Sequence, residues 1–210
     1  MNTLQFYWTL SALLCGSVVV SQQVALIILA PGFEEIELAT LYRFLTRAGV
    51  ELKLVSLPGP HYFPVIGAHQ IPVYAQEPFP RPEDTVWSVV ILPGGAAASE
   101  ALAQPIEVGN LLKIYEDRRR VIAAGITSAK VLQPYRIYET LKVAASPSVR
   151  ESITQHWYVE LPVVLDQSLV TSRSVADSAE FALAIVQRVV SKSMSERLRK
   201  EWYDGVDVDQ

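Results

Sequence analysis

Cysteine is nearly absent from this sequence, since Cys15 is the single cysteine among 210 residues. If the first residues are removed as a signal peptide, the mature chain has no thiol. That excludes a disulfide framework, a cysteine metal site and a cysteine nucleophile. Charged residues are missing from the first 33 positions, because Glu34 is the first of them. Asn-x-Ser/Thr sequons are also missing, so the sequence offers no acceptor for N-linked glycans.

An apolar run covers residues 4–20 and stops at Ser21, which together with Val19 supplies the small side chains of a signal-peptidase site. We therefore predict that residues 1–21 are a signal peptide or an N-terminal hydrophobic segment. Cleavage would make the protein secreted or lumenal, with no stable membrane span left. A run of about 17 apolar residues is at the short limit for a membrane-spanning helix. Without cleavage, this segment predicts a membrane-anchored or a cytoplasmic protein instead.

The bulk composition is that of a globular protein with one domain. Half of the residues are hydrophobic, and 22 acidic against 18 basic side chains give a net charge of −4, so a nucleic-acid partner is not expected. Glycine-rich phosphate motifs of the Walker or dinucleotide type are missing, and no cofactor is predicted. We assign residues 22–192 to one domain and residues 193–210 to a C-terminal helix and tail.

Apolar runs bounded by turn residues alternate with helical periodicity along the chain. Continuous apolar runs predict strands at residues 24–29, 51–56, 86–92, 121–124, 141–145, 159–165 and 169–172, with short strands around 71–74 in a proline-rich loop. Periodic runs predict helices at 34–48, 106–117, from about 128, and from 177 to 190. This alternation predicts an α/β fold, in which a doubly wound, mostly parallel sheet is sandwiched by helices.

Three turns, at residues 31–37, 93–95 and 125–127, each follow a predicted strand. Ligands collect at the carboxyl ends of the strands in sheets of this kind. We therefore expect these three turns to converge on one pocket.

Several of these segments, in the same order, resemble the ThiJ/PfpI superfamily in its DJ-1-like branch. The segments that carry the resemblance are VALIILAPGFEEIE at 24–37, VVILPGG at 89–95, VIAA at 121–124, LVTSR at 169–173 and EFALAIV at 180–186. The similarity spans residues 23–192. It implies a flavodoxin-like fold related to class I glutamine amidotransferase-like proteins and a homodimer. It also implies chaperone, deglycase and glyoxalase-type activities, and a redox-sensing cysteine on a nucleophile elbow.

The functional residues of that family correspond to three positions in this sequence. Its elbow cysteine falls on Ile126, its histidine after the following strand falls on Ser146, and its first-helix glutamate is kept as Glu37. An isoleucine side chain has no lone pair and cannot act as a nucleophile. The resemblance therefore implies a non-catalytic pseudoenzyme, which acts as a binding or interaction homodimer on an unknown protein or small-molecule ligand. Its residual pocket would be lined by Glu37, Gly94, Gly95, Ile126, Thr127 and Ser146.

Two physical expectations follow for this turn. Elbow residues commonly have a positive φ, which costs a β-branched residue about 1–3 kcal/mol, so we predict that Gly125 rather than Ile126 adopts that conformation. Glu37 lies on the apolar side of its helix. We expect it to be desolvated, to have a raised pKa and to need a hydrogen-bond donor in place of a thiol. Its burial fits a purely structural role equally well.

An alternative function uses a displaced nucleophile on the same turn. Thr127 or Ser128, assisted by Lys130 or Glu37, would make a hydrolase, lyase or deglycase-type enzyme for small carbonyl or acyl substrates. A hydroxyl that caps the first turn of a helix is the more common use of such residues.

Two further features have both a structural and a functional interpretation. In the family, the backbone amides that correspond to Gly94 and Gly95 help to form an anion-binding niche, although glycines that end a buried strand also have a geometric explanation. His61, His69 and His156 lack the spacing of a metal site. We expect these histidines to be loop or interface residues, and no metal is predicted.

Overall fold

The structure is a computed structural model, and it describes residues 22–59, 64–81, 87–153 and 157–205. The predicted signal peptide, Cys15, His61 and His156 lie outside the described residues. The helices within the described ranges do not include one that is long and apolar enough to cross a membrane.

Ten strands lie within the described ranges. They are β1 (Val24–Leu29), β2 (Glu51–Ser56), β3 (Val65–Ile66), β4 (Pro72–Val73), β5 (Val89–Leu92), β6 (Val121–Ala124), β7 (Lys142–Val143), β8 (Trp157–Tyr158), β9 (Val163–Asp166) and β10 (Leu169–Ser172). The same ranges contain the α-helices α1 (Glu35–Arg47), α2 (Ala96–Leu102), α3 (Ile106–Asp117), α4 (Ser178–Val189) and α5 (Lys192–Asp204).

Six strands form the central sheet in the order β2-β1-β5-β6-β10-β9. Five of them run parallel, and β9 pairs antiparallel with β10 at one edge. Counted along the chain, the parallel strands have the 2-1-3-4-5 order of flavodoxin-like sheets. Every residue of β5, β6 and β10 is buried, as in a parallel sheet that helices cover on both faces. The predicted α/β fold with a doubly wound, mostly parallel sheet is confirmed.

The C-terminal segment contains the predicted helix, α5, which is fastened to α1. Its Trp202 ring lies 5.1 Å from the Phe44 ring, measured between centroids. Beside this contact, Arg47 Nη2 donates to Glu201 Oε2 at 2.8 Å, and both side chains are less than one fifth exposed. α4 packs against both α1 and α5.

The structure corrects the bounds of several predicted elements. The predicted strand at 159–165 shortens to β9, which begins only after Pro162, a residue without the N–H that a continuous ladder needs, and β8 lies just before the predicted range. The predicted helix from about 128 is a short 3₁₀ helix, Ser128–Leu132. The predicted strands at 86–92 and 141–145 shorten to β5 and β7, and the loop around 71–74 contributes β4 to a hairpin with β3. Helix α2 is not among the predicted elements.

Candidate functional site at the elbow after β6

The elbow is the turn at residues 125–127, which follows β6. The amide of Glu34 donates to the carbonyl oxygen of Gly94 at 2.8 Å, so the turn after β1 contacts the turn after β5. The amide of Gly125 donates to the carbonyl oxygen of Leu92 at 3.0 Å, which joins the elbow to the end of β5. The structure therefore brings the three predicted turns together at the carboxyl edge of the sheet.

Ile126 carries the strained backbone of the elbow, with a φ of 42°. The prediction that Gly125 adopts this conformation is wrong, because its φ lies outside the left-handed region. Hydrogen bonds hold both sides of Ile126: its N–H donates to Ser172 Oγ at 3.1 Å, and its carbonyl oxygen accepts from the Ser146 amide at 2.9 Å. These contacts fix a conformation that costs a β-branched residue about 1–3 kcal/mol.

The side chain of Ile126 packs inside the elbow. The residue is 9% exposed and lies against Gly94, where an added Cβ would fall 2.7 Å from the Ile126 Cβ. Glycine at position 94 therefore makes room for the isoleucine. At the apex of the turn, a buried hydrocarbon takes the place that a reactive side chain would need.

Glu37 is fully buried next to the elbow. Its Oε2 accepts from the Gly94 amide at 2.5 Å, and its Oε1 accepts from Ser172 Oγ at 3.3 Å. Burial, with a contribution from the nearby charge of Glu34, raises the pKa of the Glu37 carboxyl to about 7 against these hydrogen bonds, which lower it. The predicted burial and raised pKa are confirmed, and the donors are a backbone amide and a serine.

The backbone amides of the two glycines after β5 donate hydrogen bonds to acceptors within the protein. The Gly94 amide binds Glu37, and the Gly95 amide donates to Thr127 Oγ1 at 3.1 Å. Thr127 Oγ1 also shares a hydrogen bond of 2.7 Å with Ser99 Oγ. Both amides thus already have acceptors, so this arrangement favours the geometric explanation of the two glycines over an anion-binding niche.

The proposed hydroxyl nucleophiles have structural partners. Ser128 is fully buried and donates through Oγ to the Pro93 carbonyl oxygen at 2.7 Å. The Lys130 ammonium lies 3.4 Å from Glu100 Oε1, on the outside of the protein. The hydroxyl of Thr127 hydrogen-bonds to Gly95 and Ser99 as described above. The structure therefore does not support the predicted pairing of Lys130 with a hydroxyl on the turn.

Ser146, at the position of the family histidine, caps a helix. Its Oγ accepts from the Ser148 amide at 3.3 Å at the start of the 3₁₀ helix Pro147–Ser152. Ser146 therefore contacts the elbow through its backbone amide, while its hydroxyl serves the following turn.

Two residues of this site are missing from the sequence-based prediction. Ser172, the last residue of β10, bridges the Ile126 amide and the Glu37 carboxyl. Its place at the carboxyl end of a predicted strand is a signal that could have identified it. Ser99 lies on α2, a helix that the sequence pattern did not predict, so nothing in the sequence pointed to it.

The comparison with known proteins identifies the family. The family model described as DJ-1/PfpI matches residues 23–188. The chain belongs to the DJ-1/PfpI family. Within this family it is 30% identical to protein dj-1beta of Drosophila melanogaster over 178 residues. These residues are 84% of this chain and 94% of that protein. A crystal structure of Drosophila melanogaster DJ-1beta matches with a TM-score of 0.81 and 29% identity, over 87% of this chain and 98% of the other.

Other DJ-1/PfpI relatives differ in name and in length. A Caenorhabditis elegans protein named glutathione-independent glyoxalase DJR-1.2 is 26% identical over 183 residues, or 86% of this chain and 96% of that protein. Protein DJ-1 homolog B of Arabidopsis thaliana is 28% identical over 176 residues, which are 83% of this chain and 40% of that protein. The chain thus spans less than half the length of this plant relative.

Proposed function

We propose that this DJ-1/PfpI protein is non-catalytic and acts as a binding or interaction protein. One observation carries the proposal: Ile126 occupies the apex of the elbow with a φ of 42°, and its hydrocarbon side chain is buried against Gly94. A side chain without a lone pair or an ionisable proton can neither attack a carbonyl nor be oxidised. The cysteine chemistry that the family resemblance implies therefore has no reacting atom at this position.

The groups around Ile126 support the same proposal. An enzyme of this type needs a proton acceptor that faces its nucleophile and amides that face a developing oxyanion. Here the Glu37 carboxyl binds Gly94 and Ser172, and the Gly95 amide binds Thr127. The acid and the amides thus stabilise the fold of the elbow. These contacts also count against the alternative of an enzyme with Thr127 as a displaced nucleophile.

We propose that the active form is a homodimer, as the family resemblance implies. Large apolar side chains are exposed on α1, in the β3–β4 hairpin and just after it: Ile36, Ile71 and Tyr74 are 56%, 52% and 69% exposed. Exposed apolar side chains favour association when a partner surface covers them. Sedimentation equilibrium of the purified protein tests this: we expect a dimer that Tyr74→Glu weakens. A monomer at micromolar concentration contradicts it.

We also propose that residues 1–21 are removed and that the protein is secreted or lumenal. It rests on the apolar run that stops at Ser21. N-terminal sequencing of the protein isolated from its own cells tests the proposal. We expect a start at or near residue 22, whereas a start at Met1 contradicts it.

Methylglyoxal turnover tests the absence of catalysis, because one relative is named a glyoxalase. We expect the purified protein to consume methylglyoxal no faster than buffer does. Turnover that Glu37→Gln abolishes would contradict the proposal.

An Ile126→Cys variant, made with Cys15 replaced by serine, is the matched comparison. It restores a sulfur beside Glu37, and we expect it to react with a thiol reagent, whereas the parent protein with Ile126 does not. Comparing methylglyoxal turnover by the two proteins then tests whether a thiol at position 126 is enough to restore activity.

A further inference from the structure

A buried carboxylate oxygen of Glu34 lacks a hydrogen-bond partner. Glu34 precedes α1 and is 9% exposed, and its Oε1 is the one buried side-chain oxygen or nitrogen without a partner in the part of the chain that the structure describes. Removing a carboxylate from water without a compensating donor or cation is costly. An unsatisfied oxygen of this kind therefore calls for an explanation, either in the protein or in something that it binds.

Two further ligand-type side chains lie beside Glu34. The adjacent Glu35 is 8% exposed, and its Oε2 lies 2.8 Å from His69 Nδ1. One potential ligand atom from each of Glu34, Glu35 and His69 lies within 4.8 Å of the other two. Across the described ranges, this is the one group of three or more His, Cys, Asp or Glu side chains that meets the geometry of a metal site.

The backbone holds His69 in front of the two glutamates. The amide of His69 donates to Glu35 Oε1 at 2.6 Å. The neighbouring Ala68 amide donates to the Phe33 carbonyl oxygen at 2.9 Å, which fastens the hairpin turn between β3 and β4 to the segment before α1. Gly67 leaves space for the Glu35 carboxyl, since an added Cβ would fall 2.2 Å from Glu35 Oε1. The position of His69 is thus fixed by contacts that lie outside the imidazole ring.

We propose that Glu34, Glu35 and His69 form a binding site for a divalent transition-metal ion of the zinc class. An imidazole and two carboxylates are ligands that zinc takes, and three protein ligands leave a fourth position for water or a bound molecule. The ion would supply the Glu34 oxygen with a partner, and its two positive charges would balance the two carboxylates. The imidazole selects against magnesium and calcium, which prefer oxygen ligands.

The geometry is compatible with this ion. Zinc held at about 2.0–2.2 Å by tetrahedral ligands keeps them about 3.3–3.5 Å apart. Ligand atoms within 4.8 Å of one another reach this spacing through a small side-chain movement. The His69 side chain, which is 70% exposed, is free to make that movement. A bound ion would take the place of the hydrogen bond between His69 Nδ1 and Glu35 Oε2, and any proton on Nδ1 would be released to solvent.

The helix dipole at the start of α1 does not by itself explain the burial of both glutamates. Carboxylates near the start of α1 are stabilised by the helix dipole, and Glu35 has in addition two contacts with His69. That account leaves Glu34 Oε1 buried and unsatisfied. A second copy of the chain that covers Glu34 is a different explanation, and the experiment below separates the two.

Isothermal titration calorimetry of the tag-free full chain with zinc chloride tests the proposal. We expect one zinc ion per chain, and we expect His69→Gln and Glu34→Gln each to weaken zinc binding at least about tenfold. Glu100→Gln is the matched control, because Glu100 is an exposed carboxylate that is paired with Lys130. It should bind zinc as the unaltered chain does.

Two further measurements distinguish the loss of a metal ligand from misfolding of the variant. Cobalt(II) in place of zinc gives visible absorption bands in a tetrahedral site with nitrogen and oxygen ligands, and we expect these bands in the unaltered chain and their loss in His69→Gln. Far-UV circular dichroism confirms that each variant keeps its fold. Zinc affinity that is unchanged in both variants overturns the proposal. So does a chain that binds no zinc while Glu34→Gln changes its oligomeric state, since a second copy then covers Glu34.

Discussion

The Glu37 carboxyl occupies the space that a side chain on Gly125 would need, because a Cβ built on Gly125 falls 1.9 Å from Glu37 Oε1. Glu37 is fully buried, so it has no open space into which it can move. Glycine at position 125 is therefore required for the close approach of a carboxyl group and not for an unusual φ. The two residues depend on each other for their conformations.

Gly125→Ala should lower the free energy of unfolding by about 1–3 kcal/mol, because the added methyl group overpacks the Glu37 carboxyl. Urea denaturation followed by circular dichroism measures this loss. Gly49→Ala is a control for backbone strain alone, since Gly49 has a φ of 77° and an added Cβ would meet no atom within 4 Å. Adding Glu37→Ala to Gly125→Ala should recover part of the loss; strictly additive effects would contradict this account.

Glu37 should make the protein less stable as the pH rises from about 4.5 to about 7. Its pKa is about 7 in the folded protein, against an ordinary value of 4.5, so in this interval the folded state holds a proton that the unfolded state releases. The linked loss of unfolding free energy is on the order of 3 kcal/mol. Urea titrations between pH 5 and pH 8 measure it, and Glu37→Gln should remove this part of the pH dependence. Parallel curves for the two proteins would refute the prediction.

Ser172→Ala should destabilise the elbow by about 1–3 kcal/mol, because it leaves the buried Ile126 amide without an acceptor. It also removes a hydrogen bond that lowers the pKa of Glu37. The pH range over which stability falls should therefore extend above that of the unaltered protein. Ser193→Ala, at an exposed serine, is the control and should change stability by less than about 0.5 kcal/mol.

Thr127→Val keeps the shape of the side chain and removes its hydroxyl. The Gly95 amide then loses its acceptor, and we expect a loss of about 1–3 kcal/mol in thermal or urea unfolding. The exposed Thr46→Val is the matched control. A loss of less than about 0.5 kcal/mol would contradict the structural role of this hydroxyl.

The parallel strands of the fold were predictable because their sequences are short, continuous apolar runs. The predicted strands at 24–29, 51–56, 121–124 and 169–172 coincide with β1, β2, β6 and β10. Such strands are buried on both faces, and composition alone identifies them. The region from 141 to 166 was harder to predict, since its strands are short and their pairing with distant segments fixes their ends.

The details of the site depend on contacts between residues that are far apart in the sequence. The positive φ lies at Ile126 and not at Gly125 as predicted, and the sequence does not show that the Glu37 carboxyl packs against position 125. His69 lacked metal-site spacing in the sequence, yet a hairpin turn brings it beside Glu35. Residue types at the carboxyl ends of strands predict the location of the site, whereas its hydrogen bonds join residues that are far apart in the sequence.

The contact between α5 and α1 has a practical consequence for recombinant expression. The rings of Trp202 and Phe44 meet there, with Glu201 and Arg47 alongside. A variant truncated before residue 192 would expose apolar side chains of α1 and α4 to water and would be prone to aggregate. Affinity handles and fluorescent fusions therefore belong beyond Gly205, where a φ of 69° already turns the backbone out of the helix.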